Sequence, residues 1–361
     1  MPASSSDPDE PATPYLVVDA ERLDANLASM AALARDRGVA LRPHAKTHKT
    51  PAIARRQLDL GAVGLTVATV AEAEVFAAAG CTDLFLAYPV WVTAAQASRI
   101  QALLERTALS VGIDSAEGAR ALATRVGRRP GLQVMVEVDS GHHRSGVSPV
   151  DAGAVAGAAI DLGLDVAGVF TFPGHGYEPG SQERVATEEA VALAAAAASL
   201  VDAGVDPRVV SGGSTPTAEL LLEETMTEMR PGVYAFGDAQ QWELGTVTPD
   251  AVALTCRATV VSKTDGRVVL DAGSKVLGAD RPGWATGAGR LLRYSAARIP
   301  LLSEHHAVVA WDDTPLPALG DRLDVVPNHV CSAVNLADVL HVKRDGRIVD
   351  RWPVAARGAN T

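Results

Sequence analysis

The chain has 361 residues, 47% of them hydrophobic and 21% charged, with a formal net charge of −11. That length exceeds one ordinary domain and suggests about two, and the composition is that of a globular protein with large cores. An acidic balance of 43 Asp and Glu against 32 Lys and Arg argues against a nucleic-acid partner, which calls for a basic face. Cys81, Cys256 and Cys331 show no paired spacing, which favours a reducing compartment over a disulfide framework. Residues 1–13 have neither a basic n-region nor an apolar h-region and read as a disordered tail rather than a signal peptide. The most apolar run, 190–201, is too short and too Ala-rich to span a bilayer, so a cytoplasmic protein without a membrane partner is expected.

Residues 14–38 read as a strand at 15–19, expected to pair with the later β domain, and a helix. The helix carries Leu23, Leu27, Met30 and Ala34 on one face, with Asp19 as its N-cap. From 39 to 245, short β-branched runs alternate with helical patterns. Strands are predicted at 39–46, 64–68, 84–88, 109–113, 132–138, 166–171, 209–211 and 233–236, with helices that include 51–60, 70–79, 94–104, 116–126 and 188–203. Such alternation predicts parallel β-α units. Eight strands favour an α/β fold closed as a TIM-type β/α barrel, although a doubly wound open sheet shares the alternation. After 245 the period changes. Runs at 254–263 and 267–271 flank Thr264-Asp265-Gly266, and runs at 340–343 and 348–352 flank Arg344-Asp345-Gly346-Arg347. Both are hairpin signals built on Asp-Gly, so 246–361 is expected to be a mostly β second domain.

The first barrel strand runs into Arg42-Pro43-His44-Ala45-Lys46-Thr47-His48-Lys49. On a strand Arg42, His44, Lys46 and His48 share one face, and the C-terminal ends of barrel strands carry catalytic groups. Cations gathered there favour a neutral amine, the form that attacks an aldehyde. A solvated basic edge strand has the same composition. This segment resembles the cofactor-lysine motif of the D-serine dehydratase and D-threonine aldolase family, within the alanine-racemase-like, fold-type III pyridoxal phosphate enzymes. The resemblance runs from about Thr13 to about Trp352. It implies that Lys46 holds pyridoxal 5′-phosphate as an imine, with His44 beside it.

Ser211-Gly212-Gly213-Ser214-Thr215-Pro216-Thr217 follows the seventh strand and precedes a helical run at 218–224. Glycines let the backbone approach a phosphate, and a helix start offers N–H groups to it. Gly213, Ser214 and Thr215 are therefore phosphate candidates, joined by Gly232 and Tyr234 at the eighth strand, although a tight loop with an ordinary N-cap looks the same. Strand five leads into Asp139-Ser140-Gly141-His142-His143-Arg144-Ser145-Gly146, which resembles the family's Asp-x-Gly-x-x-Arg-x-Gly element. That implies Arg144 near the cofactor's phenolic oxygen, where a fixed cation keeps the oxygen ionised; a surface arginine after a turn is the alternative. Strand six ends in Phe172-Pro173-Gly174-His175-Gly176-Tyr177, and by the same resemblance His175 and Tyr177 line the ring or its nitrogen.

His329 and Cys331 lie two apart on a strand pattern, so both would face the same way. Imidazole plus thiolate suits Zn²⁺, with Mn²⁺ or Mg²⁺ as alternatives, but a buried cysteine beside a surface histidine reads equally from the residues alone. In the resembled family a C-terminal His-x-Cys or His-x-Asp pair binds a divalent ion at the active site. His305 and His306 are secondary candidates, and Cys81 and Cys256 are expected in the core.

Cofactor and metal together imply a lyase acting on a β-hydroxy-D-amino acid. Loss of the hydroxyl gives a keto acid and ammonia; cleavage of Cα–Cβ gives glycine and an aldehyde. His-x-Cys favours the dehydratase branch, on D-serine or another 3-hydroxy-D-amino acid, with D-threonine aldolase close behind. A racemase would need a second base and no metal, and a non-catalytic pyridoxal phosphate carrier would lack the β domain. The resemblance also implies a homodimer.

Overall fold

The computed structural model describes residues 10–221, 225–264, 266–311 and 315–361. The chain forms two compact units, one holding the residues up to Leu27, Thr47–Thr50 and Val233–Gly358, the other Ala28–Lys46, Pro51–Gly232 and Ala359–Thr361. The chain opens with strand β1 (Tyr15–Asp19) and a helix, Ala20–Asp36, whose Arg22 N–H donates to Asp19 Oδ1 at 3.2 Å.

The second unit is a TIM-like β/α barrel. Its strands are β2 (Ala40–Leu41), β3 (Leu65–Val67), β4 (Asp83–Pro89), β5 (Ala108–Ile113), β6 (Leu132–Glu137), β7 (Val166–Phe170), β8 (Val209–Gly212) and β9 (Glu228–Met229). All pair in parallel, in the order β2-β9-β8-β7-β6-β5-β4-β3. A parallel bridge between His44 and Thr66 joins the two edges. Every residue of β7 is buried, as a parallel strand covered on both faces requires. Thr69, Thr93 and Ser115 accept from the first-turn N–H groups of helices Val70–Ala78, Ala94–Leu104 and Ala116–Arg125, which fixes where those helices start. Phe85, Met135, Ala167 and Phe170 pack together as a core cluster, the two rings meeting edge to face at 5.0 Å.

Three predicted elements are corrected. The eighth strand is Glu228–Met229, and the predicted strand at 233–236 is a buried 3₁₀ turn, Val233–Ala235. The first strand stops at Leu41, because Pro43 has no N–H for a ladder, and Lys46 lies in the 3₁₀ turn Ala45–Thr47. The helical run at 218–224 is the 3₁₀ turn Thr215–Leu220; residues 222–224 lie outside the described residues.

In the first unit, β1 runs antiparallel to β10 (Leu254–Thr264) and parallel to β16 (Val339–Arg344). With β11 (Arg267–Leu270), β12 (Gly289–Leu291), β13 (Arg298–Leu302), β14 (Ala307–Ala310), β15 (Arg322–Pro327) and β17 (Arg347–Pro353), these make a nine-stranded sheet among the described residues. Both predicted hairpins form, β10 with β11 and β16 with β17, although Asp265 of the first turn lies outside the described residues. Residues 10–13 of the expected tail are held in this unit: Glu10 pairs with Arg257 at 3.3 Å and with Arg322, and Thr13 donates to Asp271 at 2.5 Å. Residues 1–9 lie outside the described residues. Cys81 and Cys256 are buried thiols. No helix among the described residues is long and apolar enough to cross a membrane.

Candidate active site

The segments that leave the C-terminal ends of the barrel strands surround a cavity of about 440 Å³. Of the predicted residues, His44, Lys46, Arg144 and Gly213 line it. Arg42 and His48, expected on the same strand face as Lys46, lie elsewhere. Arg42 faces the opposite end of the barrel, where Asp83 and Glu228 each hold it at 2.6 Å. His48 is buried, and its Nδ1 accepts from the Thr50 N–H at 3.0 Å.

Phe172 organises the cationic side of the cavity. Lys46 Nζ lies 5.6 Å from its ring centroid and Arg144 Cζ 5.1 Å, both cation–π distances. Arg144 reaches Glu137 Oε1 at 3.7 Å, and Ser145 Oγ donates to the same oxygen at 3.0 Å. Burial pushes the Glu137 carboxyl up despite Ser145 and Arg144, which favour its ionised form. Arg230 also lines the cavity and is itself buried, donating to Ser211 Oγ and the Thr171 carbonyl, with Phe85 and Phe170 rings 5.5 and 5.3 Å from its Cζ. Burial lowers its pKa to about 10, against the pull of Glu228, Glu189 and Glu137, so it is a cation at neutral pH. Phe172 stood inside a segment singled out in the sequence and Arg230 two residues before Gly232, but their places at the cavity came only from three-dimensional proximity.

The glycine turn after β8 lines the cavity in a way the sequence did not show. Gly213 has φ +76° and donates its N–H to the buried Glu189 Oε1 at 2.6 Å rather than holding it free for a ligand. The Ser214 N–H donates to Thr217 Oγ1 at 3.2 Å, and the two hydroxyls lie 2.9 Å apart. Thr215 begins the following 3₁₀ turn. Gly232 ends the barrel unit two residues after Arg230, whereas Tyr234 is buried in the first unit. His175 Nε2 meets Glu188 Oε2 at 2.9 Å, and its ring stacks on His142 with centroids 6.3 Å apart. The Tyr177 ring lies 6.3 Å from Phe172. Among the described residues, neither His175 nor Tyr177 lines the 440 Å³ cavity.

His329 and Cys331 lie not on a strand but at a helix start. β15 ends at Pro327, His329 is the N-cap residue, and Val330–Leu336 is helical. The buried Asp238 starts that helix by accepting the Val330 N–H at 3.2 Å. His329 Nδ1 meets Asp280 Oδ2 at 2.6 Å, and Cys331 Sγ lies 3.3 Å from Oγ1 of Thr47, the residue that follows Lys46 in the chain. Burial opposes a charged imidazole, yet Cys331, Asp280 and Asp238 outweigh it and push His329 up to about 11. No three His, Cys, Asp or Glu side chains among the described residues form a ready-made metal cage. His305 and His306 are exposed.

Residues 18–240 match the family described as alanine racemase, N-terminal domain, and residues 253–343 match a putative serine dehydratase domain. The chain is 36% identical to a D-threonine aldolase of Arthrobacter sp. over 359 residues, covering 96% of this chain and 93% of that one. It is 35% identical to a D-threo-3-hydroxyaspartate dehydratase of Delftia sp. (strain HT23) over 351 residues, covering 89% of this chain and 91% of that one. A solved D-threo-3-hydroxyaspartate dehydratase, a cysteine-to-alanine mutant in the metal-free form, superposes with a TM-score of 0.86 at 31% identity, covering 95% of this chain and 97% of that one.

Proposed function

Because this chain belongs to the alanine racemase N-terminal domain family, among its pyridoxal phosphate-dependent lyases, we propose that it dehydrates or cleaves a β-hydroxy-D-amino acid with the help of a divalent ion. The observation that carries this reading is the convergence of Lys46, Arg144 and the Gly213 turn on one cavity at the C-terminal end of the barrel. These groups fit a phosphorylated pyridine aldehyde. Lys46 offers an amine for the aldehyde carbon, Arg144 a cation for a phenolate oxygen, and Gly213 a surface without a side chain for a phosphate.

When bound, pyridoxal phosphate supplies a sink for the electron pair released at Cα. Lys46 Nζ would hold the group, and its amine would carry a proton to or from the substrate's Cα. Arg230 keeps its charge in a buried frame of Ser211, Thr171 and two aromatic rings, so it presents a fixed cation at the cavity wall. Arg144, held more loosely, lies where an anionic ring substituent or a substrate carboxylate can reach it.

The donor set around His329 fits a metal ion. Nδ1 is committed to Asp280, which leaves Nε2, once an ion displaces its proton, as the ligating nitrogen, the usual carboxylate–histidine–metal arrangement. Cys331 adds a thiolate, and two protein ligands leave positions open for substrate and water. An ion there would supply Lewis acidity toward a β-hydroxyl.

His329 and Cys331, with the Delftia relative, support dehydration of D-serine or a 3-hydroxy-D-amino acid such as D-threo-3-hydroxyaspartate. The Arthrobacter relative supports the second reading, cleavage of D-threonine to glycine and acetaldehyde. Purified protein given D-serine, D-threonine, D-threo-3-hydroxyaspartate and D-alanine, with and without chelator, separates them. Chelator-sensitive keto acid marks a dehydratase and aldehyde an aldolase. Racemised alanine insensitive to chelator would sink the lyase reading.

A further inference from the structure

Glu189 is a buried acid that the proposed chemistry does not use. It lies on helix Gln182–Asp202 with 1% exposure, behind the glycine turn whose other side lines the cavity. The turn is shaped around it: a Cβ on Gly212 would fall 2.5 Å from Glu189 Oε1 and 3.0 Å from Leu193 Cδ1. The Gly212–Gly213 peptide is pinned at both ends, its N–H donating to Glu189 Oε1 at 2.6 Å and its carbonyl accepting from the Arg230 N–H at 2.9 Å. Oε2 of Glu189 is equally buried and has no hydrogen-bond partner among the described residues. A carboxyl in such a place is costly, and its bond to the turn is what it contributes in return. Burial also raises its pKa to about 7, against the Gly213 N–H and Arg230, so near neutrality much of the group is uncharged.

We propose that Glu189 is a positioning residue that locks the Gly212–Gly213 peptide and thereby sets the affinity for the phosphate of the cofactor rather than for its pyridine ring. Without the acceptor, the Gly213 N–H is left buried and unpaired, or the peptide rotates into the space the phosphate would take. The inference rests on the pyridoxal phosphate reading above and deepens it.

Two variants test it on protein stripped of cofactor and titrated by absorbance, once with pyridoxal 5′-phosphate and once with pyridoxal. Glu189→Met keeps the volume and removes the acceptor; Glu189→Gln keeps the Oε1 acceptor. Glu189→Met should weaken pyridoxal phosphate by about tenfold and pyridoxal by less than about twofold, with Glu189→Gln within about threefold of the parent for both. Pyridoxal binding in the same sample reports that the cavity is folded. An equal loss for both ligands, or no loss for pyridoxal phosphate, overturns the role of Glu189 alone. Parent protein that forms no absorbance band with either ligand overturns the cofactor reading itself, and the inference with it.

Discussion

The two ends of the barrel hold cavities of opposite character. At the N-terminal end of the strands the space is the larger, about 880 Å³ against 440 Å³ at the C-terminal end. Yet its half-buried cation, Arg42, is held at 2.6 Å by both Asp83 and Glu228, and Glu228 in turn accepts from Ser211 Oγ at 2.6 Å. At the other end Arg144 reaches Glu137 only at 3.7 Å, and Lys46 and Arg144 both gather over one aromatic ring. Volume does not mark the site. What marks it is charge held where a ligand can complete it, and barrels keep such charge at the C-terminal face while using the other for stability.

That contrast can be broken by substitution. Lys46→Ala should abolish the visible absorbance of bound cofactor and lower lyase turnover by on the order of 10⁴-fold, measured on D-serine or D-threonine. Full turnover in that variant would remove the C-terminal cavity from the chemistry. Arg42→Met should instead cost about 3 kcal/mol in denaturant unfolding, since it removes the ion-pair partner of the buried Glu228, while leaving cofactor absorbance intact in the folded protein. If Arg42→Met spared stability and lost the cofactor, the two ends would have been assigned the wrong way round. Cys331→Ala should keep the absorbance and lose chelator-sensitive turnover by at least roughly 100-fold, since even outer-shell partners of a metal ligand carry 10–100-fold. Retained turnover with unchanged metal content discards the metal pair.

The parts legible in the sequence were those that rest on local pattern. Strands β5 to β8 carry enough β-branched residues to be read directly, β4 is legible from its apolar Leu84-Phe85-Leu86 run, and the Arg42–Lys49 segment pointed to Lys46, which lines the C-terminal cavity. The eighth strand was hidden because Glu228 and Met229 have no β-branched run around them, while Val233-Tyr234-Ala235-Phe236 has strand composition but lies in a buried turn. Propensity lost to packing there. The His329 and Cys331 geometry was misread because Val325-Val326-Pro327 is a genuine strand end, and the helix that follows starts on Asp238, some ninety residues upstream. Likewise nothing near Gly213 in the sequence says that its N–H belongs to Glu189. Such commitments between distant residues decide which candidate donors remain available, and they appear only in the folded chain.

The smallest effect expected concerns the same end of the barrel and is a matter of pH. The Glu189 carboxyl has a folded pKa of about 7, raised from an ordinary value of 4.5 chiefly by burial, with the Gly213 N–H and Arg230 pulling the other way. A group whose folded pKa lies above its unfolded one binds its proton more tightly in the folded state. Its contribution to stability is therefore complete below about pH 4.5 and is lost as pH rises toward and through about 7. Melting temperature should fall by a few degrees across that window in the parent protein, and Glu189→Gln, which has no proton to lose, should flatten that part of the profile. Glu137 is displaced in the same direction by burial and remains in both proteins, so the difference between the two profiles, not either one alone, isolates Glu189. Superimposable profiles would mean that the carboxyl behind the glycine turn titrates as an ordinary acid, and that the peptide it holds is kept in place by the Arg230 N–H and the packing of Leu193.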